Sequence, residues 1–287
     1  MLIIVGTVPD PNLGLLIGKS ALKSRCLTVE KTDIPIQRGT PALIASACKV
    51  CEVFGAEQPL AILAGDIGLG HGSRELYAYL TEHIREYLFS TIVFHYLQPD
   101  VDWHCRVLFA LQEMQQQPTL IADAGFMYAA KMSGYAGEYD LFTPDIGELA
   151  FLADENAPHP FYTRGFILHE QNKVQDLISR AYQHKNAARN LLIKGATDLI
   201  VSGGEIIKQV NEPVVEALEA MGGTGDTVTG MTAALISSGL GITEACTLAA
   251  RTNRLAGKLA NPTPASQVTD IIEQIPTALR IKNRQDT

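Results

Sequence analysis

Glu219-Ala-Met-Gly-Gly-Thr-Gly-Asp-Thr-Val-Thr-Gly230 sets three glycines, Gly222, Gly223 and Gly225, around Thr224 and follows them at once with Asp226. Val228, Met231 and Leu235 then recur at a spacing that lays apolar side chains on one helical face, and the pattern stops at Gly239. The stretch therefore reads as a glycine loop feeding a helix N-terminus. The first turn of a helix carries N–H groups without intrahelical partners, and the aligned peptide dipoles add partial positive charge there. Glycines let an anion touch the backbone, so a phosphate is the natural guest. Asp226 is the odd member. A carboxylate repels a phosphate unless its task is to take a proton from the group that attacks the phosphorus. The alternative is that Asp226 only caps the helix beside a tight turn.

The rest of the chain must supply a scaffold for that loop, and its composition is that of a globular protein. Of 287 residues, 46% are hydrophobic and 19% charged, and the mean hydropathy is +0.08, so one large α/β domain spanning residues 1–287 is expected. Twenty-three basic against 31 acidic residues give a formal charge of -8. An acidic balance argues against a broad footprint on nucleic acid or on an anionic membrane. The opening Met1-Leu-Ile-Ile-Val5 is short, has no basic residues before it and is interrupted at Gly6, which suits a first β-strand better than a signal peptide. Five scattered cysteines make no disulfide framework, and a reduced, cytoplasmic protein is expected. Self-association is left open.

Strand and helix patterns alternate along the chain. After turn residues at Val8–Gly14 the region to Gln37 is poorly patterned, with a short strand near Cys26–Val29. Thr40-Pro41 reads as an N-cap and first helical position opening Ala42–Phe54, closed by Gly55. Cys48 and Cys51 lie inside that helix; with no second cysteine pair or histidine cluster they read as buried structural thiols. Leu60–Ala64 is a strand, followed by the glycine loop Gly65–Ser73 and a helix from Arg74 to about Leu88. That loop matches neither the dinucleotide fingerprint nor a P-loop. It either bends round a substrate, with Asp66 or His71 in contact, or is a wide structural turn. Strands at Thr91–His95, Thr119–Asp123 and Tyr139–Phe142 alternate with helices within Val101–Glu113 and around Met127–Met132. Near-continuous apolar strands separated by helices imply a mostly parallel sheet covered on both faces.

In such sheets ligands collect beyond the carboxyl ends of the strands. Asp123 sits at one such end, and Thr143-Pro-Asp-Ile-Gly-Glu148 at another. Asp145 and Glu148 at a three-residue spacing either orient Mg²⁺ beside phosphates or form a helix cap. Pro158–Gly165 reads as a loop, in which Arg164 is a phosphate contact or a solvated side chain, and a helix follows through Val174–Tyr182. Leu191–Ala196 is a strand ending in Lys194-Gly195; the lysine either pairs with phosphates or snorkels to solvent. Asp198–Ser202, Glu205–Val210 and Pro213–Ala217 suit hairpins, with Ser202-Gly-Gly204 as the turn. A further helix starts at Gly241, capped by Thr243, with Leu248, Leu255 and Leu259 on one stripe.

Gly-Gly-Thr-Gly-Asp followed by Thr-Val-Thr-Gly resembles the anion-hole and catalytic-base motif of the ribokinase-like superfamily, and within it the ATP- or ADP-dependent NAD(P)H-hydrate dehydratases. Thr143–Glu148 is similar to the dehydratases' Thr-Pro-His-x-Gly-Glu, and its D-x-x-E spacing to the N-x-x-E of sugar kinases; Asp145 departs from both. Lys194-Gly195 looks like the family's segment near the nucleotide. Ala265–Leu279 resembles its closing segment, and Asn253-Arg254 stand where a histidine is usual. The resemblance covers about Leu120 to Arg280. Before that, His95-Tyr-Leu-Gln-Pro-Asp100 replaces an expected Gly-Pro-Gly-Leu-Gly. It implies a ribokinase-like three-layer sandwich with a mostly parallel central sheet and helices on both faces.

For the chemistry, the resemblance implies that Gly223, Thr224 and Gly225 stabilise a transferring phosphate and that Asp226 activates the substrate hydroxyl. Lys194, Gly195, Gly225 and Asn253 would meet ATP or ADP. Asp123, Asp145 and Asp226 would meet the substrate, and Glu148 the Mg²⁺. The acceptor would be hydrated NAD(P)H, phosphorylated and then relieved of phosphate. Two alternatives stand beside it: a kinase of a sugar, vitamin or other small alcohol, and an inactive nucleotide-binding sensor. The intact Asp226 weighs against the sensor.

Overall fold

The computed structural model describes residues 1–157, 174–263 and 265–283. Strand β1 (Leu2–Val8) is buried at every position, the mark of a strand covered on both faces. It runs parallel to β5 (Leu60–Gly65) on one side and to β6 (Thr91–His95) on the other. Beyond β6 the parallel register continues through β7 (Thr119–Ala122), β8 (Leu141–Phe142) and β9 (Asn190–Ile193). Antiparallel strands close both flanks: β10 (Asp198–Ser202) and β11 (Glu205–Val210) beside β9, and β2 (Leu16–Lys23), β3 (Cys26–Val29) and β4 (Thr32–Pro35) beside β5. The order is β11-β10-β9-β8-β7-β6-β1-β5-β2-β3-β4. The chain builds β5 on one side of β1 and then crosses to β6 on the other, so a crevice opens at the carboxyl ends of these strands.

Alternation along β1 divides the core in two. Ile3 and Val5 join an apolar cluster with α2 (His71–His83), α3 (Val101–Gln112), α4 (Phe126–Met132), α5 (Ile146–Ala153) and α6 (Val174–Gln183). Leu2 and Ile4 face the other way, toward α1 (Thr40–Phe54), α7 (Thr224–Ser237), α8 (Ile242–Ala260), α9 (Val268–Ile272) and α10 (Ile275–Asn283). Helices on both faces of a mostly parallel sheet give the expected three layers. No helix among the described residues is long and apolar enough to cross a membrane.

The two helices that carry the crevice are set by glycine. At Gly230, in α7, a Cβ would lie 2.0 Å from the Leu43 carbonyl oxygen and 2.3 Å from Ser46 Oγ, so α1 and α7 approach backbone to backbone. Several expectations need correction. The poorly patterned N-terminal region holds β2 and β4 as well as the expected β3, its pattern weakened because an edge meander buries few residues. Pro213–Ala217 is no strand; a 3₁₀ turn, Glu216–Leu218, lies there. Helix α8 is capped by Gly241, with Thr243 inside it. Its buried stripe is Ala245, Cys246, Ala249, Ala250, Thr252, Asn253, Ala256 and Gly257, whereas Leu255 is half-buried and Leu259 exposed. Small residues there let the helix lie close to its neighbours. Cys48 and Cys51 are buried free thiols, as expected, and burial pushes the Cys51 thiol up to about 11.

Candidate active site

Successive parallel strands end on side chains that meet in the crevice. His95 is the last residue of β6, Asp123 follows β7, Asp145 follows β8 across two residues, and Lys194 follows β9. Backbone pairing fixes their level: Lys194 N–H donates to the Pro144 carbonyl at 2.8 Å. The glycine loop arrives from the opposite side. Gly223 caps α7 at φ 98°, a left-handed conformation that favours glycine. A Cβ there would also lie 3.1 Å from Val268 Cγ2 and 3.2 Å from the Arg38 Cα.

Asp226, in the first turn of α7, is 8% exposed. Its Oδ2 accepts the Gly39 N–H at 2.6 Å, and its Oδ1 faces His95 Nε2 at 3.1 Å. Burial works to raise its carboxyl, but the His95 hydrogen bond, the Lys194 charge and the Gly39 amide together hold it below the ordinary value. Asp226 is thus held as an ionised acceptor. Each oxygen has one donor assigned and one lone pair left.

Lys194 reaches under the loop: a Cβ on Gly225 would stand 3.8 Å from its Nζ. The ammonium lies 3.0 and 2.9 Å from the two oxygens of Asp123. Asp123 is further held by the Thr229 hydroxyl, which donates at 2.7 Å, and by the Ala124 N–H at 2.9 Å. Burial disfavours the lysine's charge, yet Asp123 and Glu148 hold it protonated, well above the ordinary lysine range. A fixed cation therefore lies beside the amides where an anion would dock.

Asp145 and Glu148 form a reciprocal capping box on α5: Asp145 accepts the Glu148 N–H and Glu148 accepts the Asp145 N–H, each at 2.8 Å. Glu148 also accepts the Tyr128 hydroxyl at 2.6 Å. Burial, with Asp123 and Asp145 nearby, pushes its carboxyl up to about 7 against the pull of Lys194. So the cap and the crevice share one residue, and each carboxylate oxygen keeps a lone pair with which to accept a metal-bound water. His95, Asp123 and Asp226 also converge, with ligand atoms within 4.8 Å of one another. That set fits Mg²⁺ poorly: one donor is an imidazole nitrogen, and Lys194 already covers both Asp123 oxygens.

The structure brings Gly223, Thr224, Gly225, Asp226, Asp123 and Lys194 together, with Glu148 beside them. Gly195 and Asn253 are set back. The Gly195 N–H donates to Asp198 and its carbonyl accepts from Arg254. Asn253 is buried beneath the loop, accepting from the Thr227 hydroxyl at 2.7 Å and donating to the Thr224 carbonyl at 3.2 Å. In the Gly65–Ser73 loop, Asp66 turns onto its own segment, accepting from Gly68, Gly70 and Ser73. The wide-turn reading therefore holds for Asp66, and these bonds start α2 early, at His71. Arg164 lies outside the described residues. Sequence reasoning missed Gly39, His95 and Tyr96. Tyr96 is held at φ 56° with its ring 4.1 Å from that of His95, and burial beside Asp226 and Asp123 pushes its hydroxyl up to about 12. The strand-end signal that singled out Asp123 applied equally to His95.

A family model described as Carb_kinase, NAD(P)H-hydrate dehydratase, matches residues 98–277, more than half of the chain. The chain belongs to the NAD(P)H-hydrate dehydratase family. A relative from Methanocaldococcus jannaschii, the uncharacterized protein MJ1337, is 40% identical over 83% of this chain and 98% of its own length. A family relative from Cenarchaeum symbiosum, an ADP-dependent (S)-NAD(P)H-hydrate dehydratase, is 27% identical over 61% of this chain and 55% of its own length. The fold is similar to that of a ribokinase-like superfamily protein from Enterococcus faecalis, with a TM-score of 0.61 at 17% identity over 98% of this chain and 86% of that one. The ribokinase-like architecture expected from the glycine loop is thus the architecture found.

Proposed function

We propose that the chain is a nucleotide-dependent NAD(P)H-hydrate dehydratase, which phosphorylates the hydroxyl of a hydrated nicotinamide ring and then eliminates phosphate. One observation carries this reading. An ionised carboxylate, Asp226, sits in the first turn of a glycine-capped helix, with the Lys194 ammonium alongside Gly225. The amides of Gly223, Thr224 and Gly225 would hold the migrating phosphoryl group and the negative charge spread over its oxygens. Asp226 would take the hydroxyl proton as the substrate oxygen attacks phosphorus and the nucleotide oxygen leaves. Lys194 would lie on the nucleotide side, with Gly195 and Asn253 supporting the site from behind it. Asp123, Asp145 and Asp226 would line the acceptor side. Glu148 would hold Mg²⁺ through its waters, and the ion when bound would neutralise polyphosphate charge.

ADP dependence in the Cenarchaeum relative supports ADP as a donor beside ATP. A second reading, a kinase of a small alcohol that stops at the phosphate ester, is favoured by one feature: His95-Tyr96 occupies the crevice where the resemblance expects glycines. The deciding assay incubates the protein with ADP or ATP, Mg²⁺ and hydrated NADH and follows the return of reduced-nicotinamide absorbance. A phosphorylated product from small alcohols without that return selects the kinase instead. Asp226→Asn should lower kcat by about 10²–10⁴-fold, the usual worth of a general base, while nucleotide affinity by calorimetry stays within threefold, a change of only about 0.7 kcal/mol. Wild-type turnover in Asp226→Asn would remove the base from the mechanism.

A further inference from the structure

His95 is fully buried, and both of its ring nitrogens are engaged: Nε2 lies 3.1 Å from Asp226 Oδ1 and Nδ1 lies 2.9 Å from the Thr40 hydroxyl. An ionised carboxylate only accepts, so Nε2 carries a hydrogen, and in the neutral ring the Thr40 hydroxyl donates to Nδ1. The two contacts fix the ring's orientation and, for the neutral ring, its tautomer. Thr40 is itself fixed at the head of α1, where a Cβ on Gly6 would come within 2.7 Å of its side chain.

We propose that His95 is a positioning residue for Asp226, its Nε2–H holding the carboxylate in the one orientation that leaves a lone pair for the acceptor hydroxyl. The inference rests on the reading of Asp226 as general base, and it adds to that reading a residue from a segment where the dehydratase resemblance predicts glycine.

The second fixed point is the Gly39 N–H on Oδ2, so the base is clamped from β6 on one side and from the head of α1 on the other. A carboxylate held by two donors on rigid elements loses its rotational freedom before substrate arrives, which is what orientation contributes to catalysis. The imidazole also offsets burial. Groups that face it are Asp226 from α7, Asp123 from the end of β7 with Oδ2 at 4.0 Å, the ring of Tyr96, and Thr40; Lys194 lies beyond Asp123. With the donor removed, burial would push the Asp226 carboxyl upward.

The test compares His95→Phe, which fills the space without a donor, His95→Gln, which restores an N–H at similar reach, and Thr40→Val, which releases only the far side of the ring. In kcat/KM against pH, the acid limb should move up by about one unit in His95→Phe and by less in Thr40→Val. His95→Gln should return toward wild type. kcat should fall about tenfold or more in His95→Phe, with the KM for nucleotide unchanged. Carbon-13 NMR of the Asp226 carboxyl, assigned with Asp226→Asn, reads the same linkage without substrate. If the wild type turns over no acceptor, the enzymatic reading fails and this titration alone decides the clamp. An acid limb and a carboxyl titration that coincide in wild type and a folded His95→Phe overturn the proposal, as does an imidazole nitrogen spectrum showing hydrogen on Nδ1 rather than Nε2.

Discussion

At the scale of single residues, the site depends on one cation set among carboxylates. Lys194 is 12% and Asp123 1% exposed at the side chain, so their charges attract through little water and each depends on the other. Removing the ammonium leaves Asp123 charged in the interior, with the Thr229 hydroxyl, the Ala124 amide and the more distant His95 ring as its compensation among the described residues. Lys194→Met should therefore destabilise the protein by about 3–5 kcal/mol, measured as a shift in the urea midpoint at constant m-value. Adding Asp123→Asn should recover part of that loss, because the orphaned charge disappears with it. A double variant as unstable as the sum of its singles would show that the pair is not coupled. Both residues were legible in the sequence because each follows the last apolar residue of a strand. Gly39 and His95 were not, since nothing local ties positions 39, 95 and 226 together until the sheet has formed.

At the scale of elements, glycine decides how near α7 can come to α1. The Gly230 position has no room for a methyl group: its nearest neighbours would be a carbonyl oxygen and the Ser46 hydroxyl, itself held by the Leu43 and Thr227 carbonyls. Gly230→Ala gains helix propensity of about 1 kcal/mol, but it must force apart two backbones that cannot yield locally. The packing loss should win, with net destabilisation of about 1–3 kcal/mol seen in thermal unfolding, and a lowered kcat because α7 carries Asp226. A Gly230→Ala protein as stable and active as wild type would show that the two helices can separate freely. The helices were legible because each repeats a period over many residues, and the parallel strands because most read as short, near-continuous apolar runs. The edge meander β2–β4 was not, since strands of four to eight residues with exposed alternate positions give a weak pattern. Leu248, Leu255 and Leu259 misled for a related reason: hydrophobicity marked the large side chains, while the helix buries its small ones.

For the whole molecule, the crevice ties stability to pH in two opposed ways. Burial raises the Glu148 carboxyl from its ordinary 4.5 to about 7. The native state then holds that proton more tightly than the unfolded chain does, so its contribution is complete below the ordinary value and is lost as pH rises through 7. Asp226 is held below its ordinary value, so its contribution is present above that value and fades as pH falls through the acid range. The two contributions are both complete only between the ordinary values of the two carboxyls, 3.8 for Asp226 and 4.5 for Glu148, and the ligand-free protein should lose the Glu148 share as pH rises from there through 7. Under the proposed function Mg²⁺ and nucleotide require Glu148 ionised, so the stabilisation they add by binding only the native state should grow as pH rises past 7. Calorimetric Tm profiles from pH 4 to 9, with and without Mg²⁺ and ADP, read both effects. Glu148→Gln should flatten the fall in ligand-free Tm between pH 4.5 and 7 and remove the pH dependence of the ligand's added stabilisation. A wild-type Tm that climbs steadily through pH 7 without ligand would show that the Glu148 carboxyl is solvated and ordinary, and would separate it from the charge cluster around Lys194.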